Sequence, residues 1–151
     1  MLGMLNKQET ETVLLNNFVG RIGCGNSSEI YIVPVSYVYD NGCIIAHSKE
    51  GKKIRMMRSN PYVCFEVDEM EDLSNWKSVI AWGHFEELTD EVERYNAMKK
   101  LVDRTLKLKL SATAKPPHMS EGRVHSHQPG NIKAVVFKIH LRELTGRFEK
   151  N

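Results

Sequence analysis

The stretch Glu29-Ile30-Tyr31-Ile32-Val33-Pro34-Val35-Ser36-Tyr37-Val38-Tyr39 runs straight into Asp40-Asn41-Gly42 and then Cys43-Ile44-Ile45-Ala46-His47. β-Branched and aromatic side chains suit a pleated, half-buried surface, and Asn-Gly accepts the backbone angles of a tight hairpin. The pattern therefore predicts a strand, a turn and a returning strand. Pro34 has no N–H to give to a ladder, so it belongs at a sheet edge or a bulge. Similar runs recur at Phe18–Cys24, before the turn cluster Gly25-Asn26-Ser27-Ser28, and at Tyr62–Asp68. An acidic turn is expected over Glu69 to Asp72, then a strand over Trp76–Glu86 and a last one over Lys133–Leu144, with Thr145-Gly146-Arg147 marking its end.

Helical signals are fewer. Asn6 with Glu9 three residues on reads as an N-cap, and Asn16-Asn17 as the stop. Residues 48–60 read as a short helix ended by Pro61, with Ile54, Met56 and Met57 as its buried face. Asp90 caps a third, in which Val92, Tyr95, Met98, Leu101, Val102 and Thr105 recur at intervals of three and four. Residues 107–131 carry Pro116-Pro117, Gly122 and three histidines without periodicity, which predicts a long loop and a candidate lid. About six antiparallel strands with three helices predict a mostly β (α+β) fold, a small closed or nearly closed barrel.

A chain of 151 residues fits one domain, 1–151. Its formal charge of +2 argues against a coat for nucleic acid or an anionic membrane. No apolar run approaches the roughly 20 residues of a membrane span, and the first residues lack a secretory pattern. Cys24, Cys43 and Cys64 are odd in number and widely spaced, so they read as small buried hydrophobes of a reduced, cytoplasmic protein without a metal site.

Chemistry concentrates in His47-Ser48-Lys49-Glu50-Gly51-Lys52-Lys53-Ile54-Arg55, at a strand-to-helix junction. Between Lys49 and Arg58 five cations stand against one carboxylate. First-turn amides, a hydroxyl at Ser48 and charge at Lys52 and Lys53 could hold a phosphate there. The ordinary alternative is a solvated basic helix face.

The order Val33-Pro34-Val35-Ser36-Tyr37-Val38-Tyr39-Asp40, Ile45-Ala46-His47-Ser48, Gly51-Lys52-Lys53 and Asn60-Pro61-Tyr62-Val63-Cys64-Phe65-Glu66-Val67 resembles the FMN-binding split-barrel superfamily. The nearer likeness is to pyridoxamine 5′-phosphate oxidase-related flavin-nucleotide-binding proteins, nitroimidazole-resistance reductases included. Ser78–Glu86 resembles their next strand and Phe137–Gly146 their closing one, so the likeness covers roughly residues 6–147. It implies a six-stranded antiparallel split β-barrel, with FMN in clefts at the interface of a homodimer. It further implies Lys52 and Lys53 on the FMN phosphate, His47 and Ser48 beside phosphate and ribityl, Val35, Ser36 and Tyr37 along the ring, and Ser78 in the place of a flavin-reaching glutamine. The ending soon after the last strand departs from the oxidase proper, which has a C-terminal extension.

The expected function is an FMN-dependent oxidoreductase that passes a hydride through flavin N5 to or from a small organic substrate. NAD(P)H is a plausible donor and His47 the candidate catalytic residue. A flavin carries the redox chemistry itself, which agrees with the lack of a nucleophile–base motif. The alternatives are a flavin store and a haem-binding split barrel using His118, His125 or His127. His84 and His140 read as structural, Trp76 and Trp82 as sharing one strand face, with core packing the expectation for Trp82. The basic helix lacks the interleaved aromatics of a nucleic-acid surface.

Overall fold

Alternating burial along the strands decides which way the sheet faces. In Asn75–Glu87, Val79, Ala81, Gly83 and Phe85 are buried, while Ile80, His84 and Glu86 are exposed. The computed structural model describes residues 1–111 and 134–151. The strands are β1 (Leu2–Met4), β2 (Val19–Gly25), β3 (Ile30–Ser36), β4 (Val38–Asp40), β5 (Cys43–Ser48), β6 (Tyr62–Asp72), β7 (Asn75–Glu87) and β8 (Val135–Glu149). The helices are α1 (Lys7–Asn16), α2 (Lys52–Ser59) and α3 (Glu91–Ser111).

All ladders are antiparallel, in the order β3-β2-β6-β7-β8-β5-β4, with β1 beside β8. The sheet curls until β3 comes within 8 Å of β5, but no ladder joins them. The expected six-stranded barrel is thus corrected to an eight-stranded sheet that does not close. Two sequence runs explain the difference. The 29–39 run breaks at Tyr37, whose side chain turns into the core, so it yields β3 and β4. β1 has only three residues and forms because β8 runs on to Glu149, through Thr145-Gly146-Arg147. The acidic turn is likewise corrected: Glu69–Asp72 continues β6 and the chain reverses at Leu73-Ser74. Pro34 does lie on an edge strand.

Asn6 and Glu9 make the reciprocal capping box at the start of α1, which lays Val13 and Leu14 on the concave core. That core collects Ile22, Val35, Tyr37, Ile44, Ala46, Ile54, Met57, Phe65, Val67, Ala81, Phe137 and Ile139. Cys24 is buried, but Cys43 and Cys64 are only half-buried, which corrects their assignment to the interior. A second cluster, Ile45, Leu88, Ala97, Leu101 and Val136, fixes α3 to the other side of β5 and β8. The face of α3 predicted as buried is corrected in part: Leu101 is buried and Met98 packs against the same cluster. Ala97 and Leu101 pack inward, whereas Val92, Tyr95 and Val102 stand 49–68% exposed. Ala97 and Leu101 thus share the inward stripe of α3 with Ile45 and Val136 opposite. Residues 107–111 of the predicted loop extend α3, and 112–131, with His118, His125 and His127, lie outside the described residues. Among the described residues no helix is long and apolar enough to cross a membrane.

Candidate functional site

β5 delivers the chain to α2 through Lys49-Glu50-Gly51. Ala46 faces the core, so His47 faces solvent, and it is exposed. Ser48 turns its hydroxyl to its neighbour, donating to the Lys49 carbonyl at 2.9 Å. Gly51 is the N-cap of α2 in extended backbone, and no side chain caps the first turn. The leading amides of α2 are therefore unclaimed by a side chain, and the positive end of the helix dipole lies beside Lys52 and Lys53. A Cβ built on Gly51 would meet only the Lys49 carbonyl, at 4.0 Å, so the approach to these amides is open. Ile54 and Met57 are fully buried and Met56 nearly so, which fixes the helix against the core.

The cations are not all free. Lys52 Nζ lies 2.6 Å from Glu29 Oε2 and 5.0 Å from the centroid of the Tyr31 ring. Arg58 is held by two carboxylates, at 2.7 Å from Glu50 and 2.6 Å from Glu87. Those bonds raise the guanidinium pKa further, and the Arg58 bond holds Glu87 below the usual carboxylate range. Among the described residues Lys49, Lys53 and Arg55 make no ion pair. Lys53 is half-buried near Cys24; burial pushes that thiol up, and the lysine charge opposes it. Five cations thus meet three carboxylates, two of them, Glu29 and Glu87, brought from distant strand ends. Sequence spacing gives no sign of either, since they stand 23 and 29 residues from their partners.

The other predicted positions separate. Val35 is buried, Ser36 is exposed, and Tyr37 is 1% exposed. The Tyr37 hydroxyl donates to the Leu14 carbonyl at 2.7 Å and its ring meets Phe65 edge-on at 4.9 Å. Burial drives that phenol pKa well up. Only Ser36 of the three presents a side chain outward; Val35 and Tyr37 offer backbone alone. Ser78 is on the outer face of β7, opposite Asp68 and Arg147. Three strand spacings separate β7 from β3, about 14 Å, so one chain does not bring Ser78 to Ser36. His47, Ser48, Lys52 and Lys53 all lie at the β5–α2 junction, with His47 and Ser48 on opposite faces of β5. Trp76 and Trp82 do share the outer face, both half-buried, and Trp82 lies outside the core. The Trp76 indole donates to Glu149 at 3.1 Å. Among the described residues no three His, Cys, Asp or Glu side chains form a metal-holding group.

Comparison with known proteins bears on the fold and the family. An FAD-binding protein of Mesorhizobium loti superposes with a TM-score of 0.76 at 29% identity, covering 99% of both chains. The FAD-binding protein of Mycobacterium smegmatis shares the fold, with a TM-score of 0.67 at 22% identity, over 99% of this chain and 100% of that one. An uncharacterized protein of Rhizobium meliloti (strain 1021) is 32% identical over 85 residues, which is 56% of this chain and 56% of that protein. The family model described as pyridoxamine 5′-phosphate oxidase matches residues 6–148. This chain belongs to the pyridoxamine 5′-phosphate oxidase family.

Proposed function

We propose that the protein binds FMN at the β5–α2 junction as a homodimer and acts as an oxidoreductase on a small organic substrate, with NAD(P)H as donor. One observation carries the reading: in a chain of this family, α2 opens with unclaimed amides, an unobstructed glycine and two adjacent lysines. These groups fit a terminal phosphate, which wants several N–H donors and positive charge at one point. When bound, the flavin supplies the hydride chemistry. The chain's own residues anchor and orient. Lys53 and the α2 amides take the phosphate, and Lys52 joins them by sharing its donors with Glu29. Ser48, whose hydroxyl now donates to the Lys49 carbonyl, is a further donor at the junction. His47, exposed beside them, can donate from a ring nitrogen to a ligand or exchange a proton with it.

The dimer is favoured by the outer sheet face. Ile32, Cys64 and Trp82 line one cross-strand row with Gly23 between, and Tyr62 and Ile80 flank it, 65% and 38% exposed. A second copy on this face would cover apolar surface and lend the distant Ser78 to its partner's cleft. The test is flavin titration. The parent should purify yellow and bind FMN as a dimer, and replacing both Lys52 and Lys53 by alanine should weaken binding at least about 30-fold, equivalent to roughly 2 kcal/mol. Retention of FMN at parental affinity would refute the phosphate assignment. Anaerobic bleaching by NAD(P)H, then reoxidation by an added acceptor, separates an enzyme from a flavin store.

A further inference from the structure

We propose that Cys43, His140 and Glu86 form a thiol–imidazole–carboxylate relay that makes Cys43 this chain's nucleophile toward small disulfides. The three side chains meet on the outer face of the sheet. Cys43 on β5 is the Cα partner of His140 on β8, which in turn partners His84 on β7. Cys43 Sγ lies 3.4 Å from His140 Nδ1, and Glu86 Oε1 lies 3.3 Å from His140 Nε2. The His84 ring stacks on His140 with centroids 4.9 Å apart and planes 20° apart. The imidazole is thus held by a thiol, a carboxylate and a second ring. With its proton on Nε2 and donated to Glu86, Nδ1 is free to accept the Cys43 S–H. Nucleophile, base and orienting carboxylate are then in hydrogen-bonding sequence.

The backbone is arranged for this contact. The β7–β8 ladder shifts register between Trp82 and Gly83, and a Cβ on Gly83 would fall 2.3 Å from the His140 carbonyl oxygen. Only glycine lets β8 come so close beside His84. Neither Cys24 nor Cys64 has a hydrogen-bonded imidazole among the described residues. The charges facing Cys43 come from several elements. Burial pushes its thiol up, Lys138 and Lys100 pull it down, and Asp40 and Glu86 push it up. Lys100 is tied to Asp40, while Lys138 makes no ion pair among the described residues. A thiol kept protonated at rest needs a base at hand, and the unpaired Lys138 favours a disulfide that carries carboxylates.

In the reaction the Cys43 proton passes to His140 Nδ1 as Sγ attacks one sulfur of R–S–S–R. The old S–S bond breaks, a Cys43–S–S–R bond forms, and an alkyl thiolate departs with the proton from His140 as R–SH, whereas an acidic aryl thiol departs as the coloured thiolate and His140 gives its proton to water. The small disulfide is the oxidant, so no other redox partner is required.

The probe is 5,5′-dithiobis(2-nitrobenzoate), an anionic disulfide, with colour release for the rate and peptide mass mapping for the site. Cys43 should be modified first, and Cys43→Ser should abolish the fast phase. His140→Asn should slow it at least about tenfold at neutral pH. Glu86→Gln, an exposed change that leaves the base in place, should slow it less. First modification at Cys64, an unmodified Cys43, or a parental rate in folded His140→Asn would overturn the proposal. No flavin is needed, so the outcome is independent of the FMN reading.

Discussion

Glu29→Gln should tighten FMN binding, and the structure sets the size of the gain. Glu29 Oε2 is 2.6 Å from Lys52 Nζ. An anion taking another donor of the same tetrahedral ammonium sits about 4–5 Å from that carboxylate, at ordinary hydrogen-bond lengths. Two like charges at this distance repel by about 1 kcal/mol each in bulk water, so a phosphate near −2 loses roughly 2 kcal/mol. Side chains here are nearly half exposed, at 44% and 47%, so screening and the lost anchoring of Lys52 reduce the net effect. About 1 kcal/mol remains, a gain of roughly fivefold in affinity. Fluorescence quenching of FMN at low ionic strength, repeated at 1 M salt, measures it. The gain should shrink as the Debye length falls from about 10 Å to about 3 Å. An unchanged or weaker affinity in low salt, or a gain indifferent to salt, would show that Lys52 and Glu29 do not border the phosphate.

Tyr37→Phe deletes the donor to the Leu14 carbonyl in a fully packed place, and should cost about 1–2 kcal/mol, a drop in Tm of about 3–8 °C. A melting curve that overlays the parent's would mean another donor serves Leu14. Glu66 concerns pH. Burial, followed by the charge of Asp68, raises its carboxyl pKa against the pull of Arg21. A raised carboxyl favours the fold while protonated and loses that contribution as pH rises through the folded value, so ionised Glu66 opposes folding at neutral pH. Glu66→Gln should therefore raise the urea midpoint at pH 7, with the gap closing toward pH 4; a gap constant across that range would refute the cause given.

Local signals carried most of the fold. The Asn6–Glu9 box, the Asn41-Gly42 turn with both residues at positive φ, and the edge position of Pro34 are each readable in a few adjacent residues. What escaped depends on distant partners. β1 pairs with the far end of the chain, Leu2 with Glu149, and three residues carry no periodicity of their own. Tyr37 looks like one more strand residue until Leu14 and Phe65 supply a reason for it to turn inward. At the candidate site the lysines and the glycine were legible as charge and a helix start. Glu29, Tyr31 and Glu87, which tune those cations, were not, because sheet curvature alone brings them there.

The borders of this sheet limit how copies of the chain can meet. Among the described residues, β4 and β1 are three residues each, and β3, a seven-residue border strand, has a proline at its fifth position, where a backbone donor is lost. Such rims resist being lengthened by a neighbour's strand, even though Ile30 and Ile32 lie bare on β3. A second copy, if the chain is a dimer as proposed, would meet it through broad side-chain contact rather than main-chain zippering. Contact of that kind would keep an assembly finite, without the open-ended stacking that a long, unbroken rim invites.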